Sequence, residues 1–251
     1  MIDSLVITCL GMPTELPDVL TPVTRTDILR GLVEAWGHLF GTEAKKESIC
    51  ILGAQWCLET GNGKSMHCNN LGNVKSSEGD GHDFTFFGCG EELTLGVAQH
   101  AVQKSPLVTI KRTYLVGSTQ MASVWVEPKH PWCRFRAFRS LDEGAIDYIS
   151  LLNKRFKKSW AAVISGDPAQ FSLKLHEQHY YTADVGSYTA GLVSLFHTLG
   201  KLPVDYSYNP GLTDDQKVRI TNLVALTMSQ SLDDVLQAPY STEDSSGSAA
   251  T

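Results

Sequence analysis

The passage from residue 43 to residue 63 restricts the fold more than any other. Ile49, Leu52 and Trp56 recur at helical spacing, the run reaches Glu59, and Gly61-Asn62-Gly63 follows at once. Such spacing lines apolar side chains along one side of an α-helix. Two glycines free to take positive φ then end it abruptly. A helix is therefore expected over about 43–60, with Glu59 on its last turn, at the rim of whatever the turn opens onto. A carboxylate at that end faces the negative pole of the helix dipole. That field and partial burial both favour the neutral acid, so a raised pKa is expected. Trp56 has two readings, a core residue or an aromatic platform for a ligand.

Other stretches carry helical punctuation. Thr26 or Asp27 can cap a helix over about 27–40, with Ile28, Leu32, Ala35, Trp36 and Leu39 on one face. Ser140 and Glu143 form a capping-box pattern ahead of a helix over about 141–158, striped by Ile146, Ile149, Leu152 and Phe156. Asp167-Pro168 is a cap followed by proline at the first helical position. A helix over about 184–199 turns Tyr188, Leu192, Leu195 and Phe196 inward, and Thr213 to Gln216 opens a last helix running to about 236. Between 72 and 135 the helical period fades and short β-like runs appear at 107–110, 114–116 and 123–126. The expected class is mainly α with a β component (α+β): a helical domain over 25–200, with a small inserted β-lobe at about 72–135. Around it lie an extended arm over 1–24, bearing Pro13, Pro17 and Pro22, a short C-terminal helical appendage over 201–238, and a disordered polar tail over 239–251.

Composition removes several classes of function. The 251 residues carry 21 Lys and Arg against 27 Asp and Glu, a formal charge of −6. The basic run Lys154-Arg155-Phe156-Lys157-Lys158 falls late in a helical stretch, where cations suit the dipole, so nucleic acid is not the expected partner. No apolar run approaches the ~18–20 residues of a membrane span. Met1-Ile2-Asp3 lacks the basic start of a signal peptide. Of the six cysteines, Cys50 and Cys57 sit two turns apart on one helix and cannot bridge. Buried free thiols are expected, with Cys68 and Cys89 the pair considered for a disulfide. His67, His82, His176 and His179 show no ligand spacing, so neither a metal nor a cofactor is expected. Gly63-Lys64-Ser65 lacks the upstream glycine of a phosphate-binding loop, and Cys57 lies inside a helix rather than at its start, against a cysteine nucleophile.

Four blocks add a resemblance. Leu58-Glu59-Thr60-Gly61-Asn62-Gly63-Lys64-Ser65 resembles the L-E-[ST]-G-x-G-x-S signature of the bacterial glucosaminidase family, within the lysozyme-like superfamily. Asn69-Asn70-Leu71-Gly72-Asn73-Val74-Lys75 is similar to the segment that follows it, and 135–144, from Phe135 to Gly144, to a third. Asp167-Pro168 with Phe171, then Tyr180-Tyr181-Thr182 and Tyr188, is similar to the closing motif. The blocks keep the family order over roughly 30–200. The resemblance implies a lysozyme-like domain that cleaves β-1,4 bonds between GlcNAc and MurNAc in peptidoglycan glycan strands, with Glu59 as general acid. Phe86-Phe87-Gly88-Cys89-Gly90-Glu91 resembles [YF]-[FL]-x-C-N-E, with Gly90 in place of Asn, and makes Glu91 the foremost second carboxylate; Glu127, Asp80 and Asp83 are the others. Tyr181 and Tyr188 are expected to steady developing charge or pack a sugar, or else to be core tyrosines. Asn70 is expected to bind an N-acetyl group, or else to hold a turn. Lytic transglycosylation and a non-catalytic virion or wall-binding role are the alternatives. A wall enzyme without a signal fits a phage origin, with virion proteins as partners and the host cytoplasm, then the wall or periplasm, or the virion itself, as its location.

Overall fold

A computed structural model describes residues 12–181, 183–208 and 221–222. The helix expected at 213–236 and the tail at 239–251 lie outside the described residues, as does the start of the arm, apart from Thr221 and Asn222, which are helical.

Helix α1 (Arg25–Phe40) is capped by Thr24, two or three residues before the Thr26 or Asp27 cap read from sequence. The Thr24 side chain accepts from Asp27 N, and Asp27 accepts from Thr24 N at 2.9 Å, so Asp27 is the third residue of the box rather than its cap. Helix α2 (Lys46–Glu59) has no side-chain cap; every residue from Ser48 to Cys57 is buried, so packing on all sides holds it.

The chain then enters the lobe. Strand β1 (Phe84–Phe86) pairs antiparallel with β5 (Arg134–Arg136), Thr85 opposite Phe135. A separate antiparallel sheet has the order β2-β4-β3, built from β2 (Cys89–Thr94), β3 (Val108–Val116) and β4 (Thr119–Val126). The runs expected at 107–110 and 114–116 are one strand, irregular between Ile110 and Arg112. Helix α3 (Leu95–Lys104) links β2 to β3 and was not legible in the pattern, because only Ala98 on it is fully buried while Val97 and Val102 face outward. Leu93, Ala98, Val108, Ala122, Val124, Val126 and Cys133 give the lobe its own small core.

The remaining helices return to the main core. Ser140 caps α4 (Leu141–Arg155). The single helix expected to 158 breaks at Phe156 (φ −116°, ψ 52°), whose ring turns into the core, and α5 (Lys157–Ser165) starts anew. Asp167 caps α6 (Pro168–Glu177) and Asp184 caps α7 (Val185–Leu199), each through its side chain. Helix α1 packs on α4, and α2 packs on α7. Leu202, Val204 and Tyr206 pack against the same core, and the Tyr208 hydroxyl meets His38 Nδ1 at 2.9 Å. The described part of the arm runs along β1 and the segment at Cys68: Leu16 N donates to Phe84 O, and Cys68 N to Val19 O. The fold is a mixed α+β arrangement. Among the described residues no helix is long and apolar enough to cross a membrane.

Candidate active site

The end of α2 is built from local chemistry. Gly61, Asn62 and Gly63 take φ of +56°, +62° and +87° in succession, a left-handed run that reverses the chain. Thr60, fully buried, donates from its hydroxyl to Trp56 O (2.7 Å) and accepts from Gly63 N (2.9 Å). The Arg25 guanidinium donates twice to Asn62 Oδ1, at 3.0 and 2.6 Å, and ties the turn to the start of α1. Asn73 Nδ2 donates to the Glu59 carbonyl at 3.0 Å. The backbone at Glu59 is thus braced from α1 and from the segment after the turn.

The carboxyl of Glu59 points toward α7, where the Tyr188 hydroxyl donates to Oε1 at 2.9 Å. Burial raises the Glu59 pKa and outweighs the hydrogen bond, which favours the ionised form. Burial, then the Glu59 charge, pushes the Tyr188 phenol far up, so it remains a donor. Tyr188 stacks on Tyr181, centroids 3.7 Å apart and planes 12° from parallel, and the Tyr181 hydroxyl meets Ser172 Oγ at 3.0 Å. Two further phenols stand behind the acid. Tyr148 donates to Leu52 O at 3.0 Å and also meets Gln55 Oε1. Tyr148 and Tyr180 are both raised well above the ordinary phenol, chiefly by burial, with Glu59 contributing.

Glu91, on β2, accepts from Lys75 Nζ at 2.9 Å, its side chain 16% exposed. Lys75 also donates to Trp132 O and stands 4.3 Å over the Phe135 ring. Asn73 braces Glu59 and Lys75 holds Glu91, and two residues of chain span at most about 7 Å. One short segment therefore joins the acid helix to the lobe carboxylate. The other carboxylates are placed differently. Asp80 is buried and faces Arg136 Nε at 3.4 Å. Asp83 accepts from Thr14 N at 2.9 Å and pairs with Arg139 at 3.1 Å. Glu127 is exposed just past β4.

Asn70 is buried with its amide occupied: Nδ2 donates to Val74 O and Arg136 O, and Oδ1 accepts from Val74 N. It holds the turn. Trp56 is 1% exposed and donates to Met66 Sδ at 3.2 Å, a core residue. Cys68 donates to Pro17 O, whereas Cys89 lies beside Cys133, so the fold does not bring together Cys68 and Cys89, the pair considered for a disulfide. Gln55, Asn73, Lys75, Tyr148 and Tyr180 escaped the sequence reading of the site. Gln55 lies one turn before Glu59, Asn73 and Lys75 lie inside the 69–75 segment that follows the turn, and Tyr180 adjoins Tyr181; Tyr148 has no sequence signal. An open apolar groove lined by Leu173, Val185, Ala190 and Val193 runs between α6 and α7, and it contains no acid. Among the described residues no group of three His, Cys, Asp or Glu side chains is placed to hold a metal ion.

The chain matches no protein-family model and no curated protein sequence. Among solved structures it is similar to the catalytic domain of the autolysin Auto from Listeria monocytogenes, with a TM-score of 0.40 and 14% identity, over 72% of this chain and 87% of that one.

Proposed function

We propose that this protein is a glycoside hydrolase of lysozyme-like fold that cuts β-1,4 bonds in peptidoglycan glycan strands. The observation that carries the reading is Glu59: an acid whose pKa is raised by burial, held through Oε1 by Tyr188, on the turn that bears the glucosaminidase-like motif. Glycoside cleavage needs an acid still protonated at working pH to protonate the leaving oxygen. Because Oε1 accepts from the phenol, Oε2 carries the proton. As the glycosidic bond breaks, Glu59 becomes a carboxylate and the Tyr188 hydrogen bond strengthens, stabilising the transition state more than the ground state. Glu91, held by Lys75, supplies the second carboxylate, which faces the developing oxocarbenium centre or activates water.

The test is digestion of purified peptidoglycan with mass spectrometry of the new ends. Wild type is expected to release fragments ending in reducing GlcNAc or reducing MurNAc; 1,6-anhydro-MurNAc ends would make it a transglycosylase instead, and no cleavage by folded protein would reject the reading. Glu59→Gln is expected to lower the rate by roughly 10²–10⁴-fold with folding intact. Undiminished cleavage by that variant would remove Glu59 from the role of acid.

A further inference from the structure

The chain enters the three-stranded sheet of the lobe at Cys89, the first residue of β2, and leaves it through a short turn, Pro131–Cys133, that leads into β5. All of β2, α3, β3 and β4 lies between the two cysteines. Their sulfurs meet at this neck, with Sγ of Cys89 3.5 Å from Sγ of Cys133. The backbone is already drawn together beside them, since Phe87 N donates to Cys133 O at 3.3 Å. Cys133 is fully buried and donates to Val126 O at 3.3 Å, whereas Cys89 keeps some surface and has Lys75 Nζ at 3.5 Å. The other described cysteines have different neighbours: Cys50 the Tyr206 hydroxyl, Cys57 the Arg25 side chain, and Cys68 the Pro17 carbonyl.

We propose that Cys89 and Cys133 form a modification site, an intramolecular disulfide that closes the neck of the β-lobe, made by exchange with a low-molecular-weight disulfide such as oxidised glutathione. A disulfide is about 2.05 Å long, so the sulfurs must approach by roughly 1.5 Å. One protein thiolate attacks a sulfur of the reagent, forms a mixed disulfide and expels a glutathione thiolate. The second protein thiolate attacks the protein-side sulfur of that mixed disulfide and expels the other glutathione. The protein loses two electrons and two protons, and the reagent gains both as two thiols. The exposure of Cys89 gives the reagent access, and the Lys75 ammonium partly offsets the hydrogen bond and burial that hold its thiol protonated. The hydrogen bond between the two thiols draws Cys133 below its usual range while pushing Cys89 up, so Cys133 is the readier of the two to lose its proton, with the Cys89 sulfur beside it. The proposal does not require the glycosidase reading, although Cys89 shares Lys75 with Glu91 and lies 3.7 Å from Glu91 Oε1.

The experiment treats the full chain with oxidised glutathione, alkylates the remaining thiols under denaturing conditions, and digests without reduction. One cross-linked peptide pair joining Cys89 to Cys133 is expected, in a protein lighter by two hydrogens before alkylation. A rise in Tm of roughly 5–15 °C, reversed by dithiothreitol, is expected with it. Cys89→Ser, at the partly exposed position, should abolish both changes, and it serves as the control if Cys133→Ser does not fold. Alkylation of both Cys89 and Cys133 after oxidation, or a cross-link from either to another cysteine, would overturn the proposal. A bond that forms without raising Tm would overturn its role in closing the lobe.

Discussion

Glu59 sits between two opposing influences, burial, which keeps it neutral, and the Tyr188 hydroxyl, which favours its carboxylate. Tyr188→Phe removes the second, so Glu59 titrates at higher pH. A general acid must be protonated, so the basic limb of the kcat profile should move up in pH. The peak rate should fall about 10–100-fold, because the carboxylate forming at bond cleavage loses a charged hydrogen bond. Glycan turnover measured across pH checks this; a basic limb that stays still or moves down contradicts it. The same pKa shift has a consequence for stability. Between the unfolded value, near 4.3, and the raised folded value, the native state binds more protons than the unfolded chain, so stability falls as pH rises through that window. Glu59→Gln removes the buried ionisation. It should melt higher than wild type at neutral pH, by on the order of a few degrees, with the difference closing below about pH 4. Tm measured against pH for the two proteins decides it.

At the level of elements, two glycines make contrasting demands. Gly63 has φ +87°, and a Cβ there would stand 3.2 Å from the Trp56 ring. Gly63→Ala should cost about 1–2 kcal/mol from the left-handed backbone, plus whatever shift the ring must make. Gly144, on α4, has ordinary helical backbone, yet a Cβ there would fall 1.9 Å from the Asn69 carbonyl oxygen. Gly144→Ala must push α4 off the loop that carries Asn69 to Lys75 and should cost about 3 kcal/mol or more. Urea unfolding measures both, and a Gly144→Ala protein within about 0.5 kcal/mol of wild type would exclude the contact. The role of Gly63 was legible in the sequence, because positive φ after a helix is a local requirement. That of Gly144 was not, since its partner is remote in the chain. The capped helices could be read for the same local reason. The break at Phe156 and helix α3 could not: one is made by a ring turning into the core, the other hides its period by burying only Ala98 completely.

Across the whole molecule, the lobe and the helical domain are pinned by buried charge. Arg136, at the end of β5, reaches Asp147 on α4 at 2.8 Å and Asp80 in the loop before β1 at 3.4 Å, while His82 stands 3.6 Å from Asp147; all four side chains are almost fully buried. Arg136→Met leaves two buried carboxylates without their guanidinium and should cost about 3–5 kcal/mol, read by chemical denaturation. A loss under about 1 kcal/mol would show that the cluster does not hold the joint. The sequence by itself determined the alternation of helical and β-like stretches, the stop after Glu59 and the place of that acid on a last turn. Each of these depends on spacing within a few residues, which backbone geometry and capping chemistry settle locally. Only the tertiary structure decided that Tyr188 and Tyr148 stand at the acid, that Lys75 holds Glu91, that Asp80 and Asn70 are anchors inside the protein, and that Cys89 meets Cys133. Those outcomes rest on burial and on which distant group satisfies each polar atom, and neither exists until the chain has packed.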